Sequence, residues 1–186
     1  MSEVIQALRI EHFNIAQLLA ILERQWARLA ADQSLNADIM EAAADYFQSY
    51  PDLYHHPKED LIFQRLRQRD PAAARAFGDL QSEHEEIAAR TREFAQSVQA
   101  GFGDPDGRET LGFWLQSFIT CQREHMAKEE RLLFPAALKS LRDEDWRHIR
   151  ARITDQEDPL LGTAIGARYD ALRHELLAWD QELRTA

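Results

Sequence analysis

Apolar residues recur along this chain at steps of three and four. In the first segment Ile5, Leu8, His12, Ile15, Leu19, Leu22, Trp26 and Leu29 form one stripe, the period of an amphipathic helix, and predict a helix from about Ser2 to Ala31. Asp32 to Asn36 reads as a turn. A second helix follows from about Ala37 to Gln68, with Pro51 and Pro57 inside the pattern predicting a kink or brief interruption near His55, His56 and Pro57. Asp70 and Pro71 make an N-cap and first helical residue for a third helix, striped by Ala73, Phe77, Leu80, His84, Ile87, Thr91, Phe94 and Val98 and ending at Gly101. The segment from Gly101 to Gly107 carries the strongest loop signal. A fourth helix from about Arg108 to Ser140 places Leu111, Leu115, Phe118, Cys121, His125, Glu129, Leu132 and Ala136 on one face.

Four long helices joined by short turns predict an all-α fold, an up-down-up-down four-helix bundle. Beyond it lie a short amphipathic piece (Trp146, Ile149, Ile153), a break at Asp158 and Pro159, and a last helix striped by Ile165, Tyr169, Leu172, Leu176, Trp179 and Leu183. The expected organisation is one domain: a bundle over residues 1–140 and additional C-terminal helices over 141–186 that pack on the bundle or on a second copy. No internal repeat of fixed period and no linker separates the two parts.

Composition narrows the partners. The 186 residues carry 22 Lys plus Arg against 32 Asp plus Glu, a formal charge of -10. Such a surface repels phosphate backbones and anionic lipid and suits cations, so neither nucleic acid nor membrane is expected as a partner. No segment approaches the roughly 18 apolar residues of a membrane span. The single Cys121 forms no internal disulfide, and Glu3, Arg9 and Glu11 interrupt any signal-like stretch; the expectation is a cytoplasmic protein.

The histidines change the picture most. His12, His84 and His125 each occupy a stripe position where Leu or Ile is expected. A chance landing is roughly one in three per helix, and a few percent for all three. His148 and His174 fall off the stripes and should face solvent. His55 precedes Glu59 by four residues and His125 precedes Glu129 by four, so each pair shares a helix face. Four imidazoles and two carboxylates from four helices would be costly to bury without a cation. They exceed what one tetrahedral zinc needs and suit two first-row metals linked by the carboxylates, iron first among them.

This arrangement resembles the hemerythrin-like, or HHE cation-binding, family. The resemblance rests on Glu11-His12-Phe13-Asn14, His55-His56-Pro57-Lys58-Glu59-Asp60, Ser82-Glu83-His84-Glu85-Glu86, Glu124-His125-Met126-Ala127-Lys128-Glu129-Glu130 and the continuation Arg131-Leu132-Leu133-Phe134-Pro135, spanning about Ile5 to Ala137. It implies a four-helix bundle around a non-haem di-iron centre, with His12 and His55 on one iron, His84 and His125 on the other, and Glu59 and Glu129 bridging. Manganese or zinc are alternative metals. His56 stays open as an outer group, an extra ligand beside His55, or the ligand itself; phase with Glu59 favours His55.

The departures bear on function. Oxygen-carrying members have a fifth histidine one turn after that of the third helix, where this chain has Ala88, and a His-x-x-x-x-Asp where it has Glu129 and Glu130 at four and five. Oxygen, nitric oxide or peroxide response and iron homeostasis are therefore expected alongside oxygen binding. A metal-binding or sensing protein is favoured over an enzyme, with a di-iron oxidase or peroxidase and a helical module with a structural metal as alternatives. A homodimer through the C-terminal helices is left open. The remaining residues carry plain readings: Cys121 as a buried structural thiol, Tyr46, Tyr50 and Tyr54 as core packing, Glu11, Glu83 and Glu124 as solvated, with Glu124 paired to Lys128.

Overall fold

The computed structural model describes residues 2–153, together with His174 and Ala178. The stripe of the first segment folds as α1 (Glu3–Ala30). The second predicted helix is α2 (Ala37–Tyr50), a π turn (Pro51–His55) and α3 (His56–Arg69). The third divides into α4 (Pro71–Phe77) and α5 (Leu80–Ala100), and the fourth into α6 (Pro105–Lys128), a second π turn (Glu129–Leu133) and α7 (Phe134–Ser140). The short amphipathic piece is α8 (Asp143–Arg150), with Ile149 buried and Trp146 partly buried. The expected last helix, Ile165 to Leu183, lies outside the described residues apart from His174 and Ala178, both exposed. The result is an all-α bundle with hemerythrin-like packing and an additional C-terminal helix.

Helix starts follow side-chain capping. Asn36, Asp70, Asp79 and Asp104 each accept a hydrogen bond from the backbone N–H three residues on, and Pro71 and Pro105 occupy first-turn positions where no donor is lost. Two expectations are corrected here. The fourth helix begins at Pro105 rather than Arg108, because Asp104 caps it. The third helix is not continuous: Gly78 takes φ +108°, a left-handed conformation that ends α4, and Asp79 caps α5 anew. A Cβ at Gly78 would also sit 3.5 Å from Lys128 Nζ.

Each π turn adds one residue to its helix, and this changes which side chains face inward. In the fourth segment the predicted stripe residue Leu132 is 39% exposed, while Leu133 and Phe134 are fully buried. The second helix is interrupted where its prolines predict, by a widened turn ending at His55.

The interior consists of two apolar clusters with a polar layer between them. One gathers Ile15, Leu18, Leu22, Tyr46, Phe94 and Phe118 with their neighbours. Its rings interlock: Phe118 lies 4.9 Å from Phe47 and 5.0 Å from Phe94. The other gathers Ile5, Leu8, Ile62, Leu66, Phe77 and Phe134, and α8 closes it with Ile149. Asp145, fully buried, ties α8 to α3 through Arg65 at 3.1 Å and Arg69 at 2.8 Å. Along the long helices described, the passage from one cluster to the other falls at the predicted metal-binding positions: His12 between Leu8 and Ile15, His55 to Glu59 between Tyr50 and Ile62, His84 between Leu80 and Phe94, and His125 and Glu129 on either side of Met126, the last residue of the first cluster before Leu133.

Candidate metal centre

All six predicted ligand residues, and His56, meet in that layer. Glu59 and Glu129 are completely buried, and His12, His55, His56, His84 and His125 are each at least nine-tenths buried. The donor atoms of His12, His55 and Glu59 lie within 4.8 Å of one another, as do those of His56, Glu59, His84 and His125. Glu59 belongs to both groups. Its Oε1 lies 3.3 Å from His12 Nε2 and 3.2 Å from His55 Nε2, and its Oε2 lies 3.5 Å from His84 Nε2. Glu129 Oε2 lies 3.3 Å from both His12 Nε2 and His125 Nε2, touching one imidazole of each group.

The sequence left His55 and His56 as rivals, and the structure puts both rings at the centre on different sides. His55 stands 5.0 Å from His12, ring centre to ring centre; His56 stacks on His84 at 4.2 Å and meets His125 edge-on at 5.8 Å. The widened turn that ends at His55 carries two neighbouring side chains into one layer. The counts are then two imidazoles in one group and three in the other. A fifth imidazole is present, from the second helical segment, although Ala88 takes the place one turn after His84.

Few of the inner atoms make hydrogen bonds. Both oxygens of Glu59, both oxygens of Glu129, and the Nε2 atoms of His12, His84 and His125 are buried without a hydrogen-bond partner. Buried carboxylate oxygens that stand at ion-pair distance from imidazoles but make no hydrogen bond are costly unless a cation is shared among them, on the order of 1–3 kcal/mol for each oxygen left unsatisfied. The donor set of imidazole nitrogen and carboxylate oxygen fits a pair of first-row divalent ions.

Electrostatics agree with a cation-seeking centre. Burial opposes charge on His12 and His84, yet the nearby carboxylates overcome it and raise both imidazoles to about 10. Burial likewise opposes charge on His55, yet the charge of Glu59 and the contact with Glu11 raise it to about 9. Burial also works against ionised Glu59, but the surrounding histidines hold it well below the usual carboxylate range. Glu129 moves the other way, pushed up by burial and by the negative charge of Glu59. Without a metal, protons on His12, His55 and His84 are the countercharge.

Several expectations for the outer residues are corrected. Glu11 and Glu83, expected in solvent, turn inward: Glu11 Oε2 is 2.8 Å from His55 Nδ1 and Glu83 Oε2 is 3.3 Å from His125 Nδ1. Lys58 pairs with Glu11, and Lys128 pairs with Glu83 rather than with Glu124. Two more carboxylates, not singled out from the sequence, face the remaining rings: Glu130 at 3.2 Å from His12 Nδ1 and Asp60 at 3.2 Å from His84 Nδ1. A signal for these two was present, since His-x-x-Lys-Glu-acid occurs twice, ending at Asp60 on the second segment and at Glu130 on the fourth. Cys121 is half-buried rather than buried, and burial with the charge of Glu86 pushes its thiol up to about 11. It lines a groove of about 520 Å³ that also touches Phe113, Glu83, His125 and Lys128. Glu124, His148 and His174 are exposed, and Tyr46 and Tyr50 are buried in the core, as expected.

An all-α bundle with a buried layer of imidazoles and two carboxylates defines a class of helical metal-binding proteins. Within it, this chain belongs to the hemerythrin family: residues 3–137 match the hemerythrin HHE cation-binding domain. Among curated proteins it is similar to an uncharacterized protein of Mycobacterium bovis and to uncharacterized proteins of two strains of Mycobacterium tuberculosis, each 24% identical over 156 residues, 83% of this chain. The alignment covers 61% of each of those proteins' length. No solved structure gives a significant match. Among the described residues no helix is long and apolar enough to cross a membrane.

Proposed function

We propose that the chain is a non-haem di-iron protein that binds or responds to a small oxygen-derived ligand (dioxygen, nitric oxide or peroxide) or serves iron homeostasis. In this reading His12 and His55 hold one ion, His84 and His125 with His56 hold the other, and Glu59 and Glu129 are shared between them. The observation that carries it is the set of four buried carboxylate oxygens without hydrogen-bond partners, facing three imidazole nitrogens in the same state. When bound, two ferrous ions would supply electrons and coordination positions for such a ligand. The protein's own contribution is to keep the layer between two apolar clusters, so that the donors are held away from water.

The unequal division of imidazoles supports a centre with two inequivalent ions, the less fully ligated one on the side of His12 and His55. Binding or sensing is favoured over turnover because the carboxylates next to the imidazoles are engaged with them or with lysines, as Glu11 and Glu83 are. The test is metal content per chain on protein produced with iron available, then an optical spectrum of the reduced, anaerobic protein as air is admitted and withdrawn. Two irons per chain are expected. A band that comes and goes reversibly means oxygen binding, and irons that stay oxidised mean redox chemistry or iron handling; protein with no iron overturns the reading. Glu59→Ala or His125→Ala should abolish the two-metal site, whereas His174→Ala should leave metal content unchanged.

A further inference from the structure

The metal-facing nitrogens account for only one edge of each imidazole. On the opposite edge, His12, His55, His84 and His125 each meet a carboxylate through Nδ1: Glu130, Glu11, Asp60 and Glu83, at 2.8–3.3 Å. The four contacts fall into two pairs at matching positions of the repeated motifs. The acid preceding the histidine of α1 reaches the histidine at the end of the first π turn, and the acid preceding the histidine of α5 reaches the histidine near the end of α6. In both cases a lysine three residues after the contacted histidine closes on the same carboxylate, Lys58 on Glu11 and Lys128 on Glu83.

Lysine is rarely buried unless its charge is met, yet Lys58 is only 7% exposed. Its burial makes sense as part of a three-membered unit: imidazole, carboxylate, ammonium. The carboxylate alone would accept from Nδ1–H but would be free to swing; the lysine fixes its second oxygen. Glu11 uses Oε2 for His55 and Oε1 for Lys58, and Glu83 divides its oxygens in the same way between His125 and Lys128. With a proton held on Nδ1, it is Nε2, on the side of Glu59 or Glu129, that is left to bind a metal ion.

We propose that Glu11 and Glu83, each clamped by a lysine, are positioning residues that fix the tautomer and aim of His55 and His125 toward the metal centre. The inference rests on the di-metal reading above. The two clamps differ in setting. The one at Glu11 is closed off, with both partners nearly buried, while the one at Glu83 borders the groove that also holds Cys121. Loss of Glu83 therefore opens the back of His125 to water, and loss of Glu11 leaves Lys58 without its countercharge.

The test uses the full chain, with ferrous ion alone as the probe, and compares Glu11→Leu, Glu83→Leu, Glu11→Gln, Glu83→Gln and the exposed control Glu124→Gln. Metal affinity is read by competition with a ferrous chelator, and the histidine tautomers by nitrogen-15 NMR on zinc-loaded protein. The Leu variants should lose about 10–100-fold in affinity and show His55 or His125 no longer locked as Nδ1–H. The Gln variants, whose amide oxygen still accepts from Nδ1–H without the charge, should lose less, and Glu124→Gln should match wild type. A purely structural role would lower the melting temperature without this grading between Leu and Gln. If a Leu variant does not fold, Lys58→Met and Lys128→Met, which free the carboxylate but leave it in place, should each weaken binding. Wild-type affinity and tautomer in all variants would overturn the clamp and leave the centre standing; wild-type protein that takes up no metal overturns both.

Discussion

Glu129 offers a test in which stability and metal binding move in opposite directions. Its side chain is completely buried, neither oxygen has a hydrogen-bond partner, and the neighbouring Glu59 charge together with burial pushes its carboxyl upward. In the metal-free protein this group is a cost. An unsatisfied buried polar atom costs roughly 1–3 kcal/mol, and Glu129→Leu removes the carboxylate and its repulsion with Glu59 while keeping an apolar body of similar bulk; Oε2, at 3.3 Å from His12 Nε2 and His125 Nε2, is compensated in part. Some of that gain is returned, because His12 and His125 lose one carboxylate neighbour each. They keep others: His12 retains Glu59 and Glu130, and His125 retains Glu83. A net stabilisation of about 1–3 kcal/mol is expected, or roughly 2–10 °C in melting temperature for a chain of this size. The assay is thermal unfolding followed by circular dichroism, with a strong chelator present and again with excess ferrous ion under anaerobic conditions. Wild type should be the less stable protein under chelation and rise strongly with metal, while Glu129→Leu should start higher and respond little. A variant that melts below wild type under chelation, and still shows the full metal-induced rise, would refute the argument.

Two further predictions concern titration. In metal-free protein His12 and His84 are raised to about 10 and His55 to about 9, from 6.5, so folding favours their protonated forms. That contribution is fully present below about pH 6.5 and is lost as pH rises through 9 to 10. Chelated protein should therefore unfold more easily at pH 10 than at pH 7, and metal uptake at pH 7 should release protons, measurable by calorimetry in buffers of different ionisation enthalpy. The Cys121 thiol, pushed up to about 11, should react with iodoacetamide at pH 7.5 roughly 10-fold more slowly than a free thiol, by rate of mass increase, because the smaller thiolate fraction outweighs its greater nucleophilicity; a rate equal to that of glutathione would contradict its placement.

Among the described residues the sequence stripes located every long helix, because an amphipathic face repeats regardless of its partners. What they missed are one-residue effects. After Glu129 both Leu132 and Leu133 fit a step of three or four, so the π turn that exposes the first and buries the second leaves no mark in the spacing. The break at Gly78 was hidden for a similar reason: Phe77 and Leu80 are three apart whether or not the helix continues between them. A glycine followed by a capping aspartate was the available sign, and it stood in plain view without the positive φ that gives it meaning.

The inner residues were legible because a histidine on an apolar stripe has no solvent to face. The outer ones were not, and the reason is geometric. A residue rotated about 100° from the stripe was assigned to solvent, which holds for Glu124 but fails for Glu11 and Glu83. On a bundle helix that rotation points along the seam with the neighbouring helix, where a long side chain can reach the partner's imidazole from behind. Lys58 and Lys128, three residues past those imidazoles, reach the same seam. The pairing of Glu-His with His-x-x-Lys-Glu could have revealed this, because within each half the acid of the first motif is held in place by the lysine of the second. In the reading proposed above the two neighbouring histidines serve different groups: the half containing His55 has an extra imidazole at His56 where the other half has Met126, and that single difference gives two imidazoles to one group and three to the other.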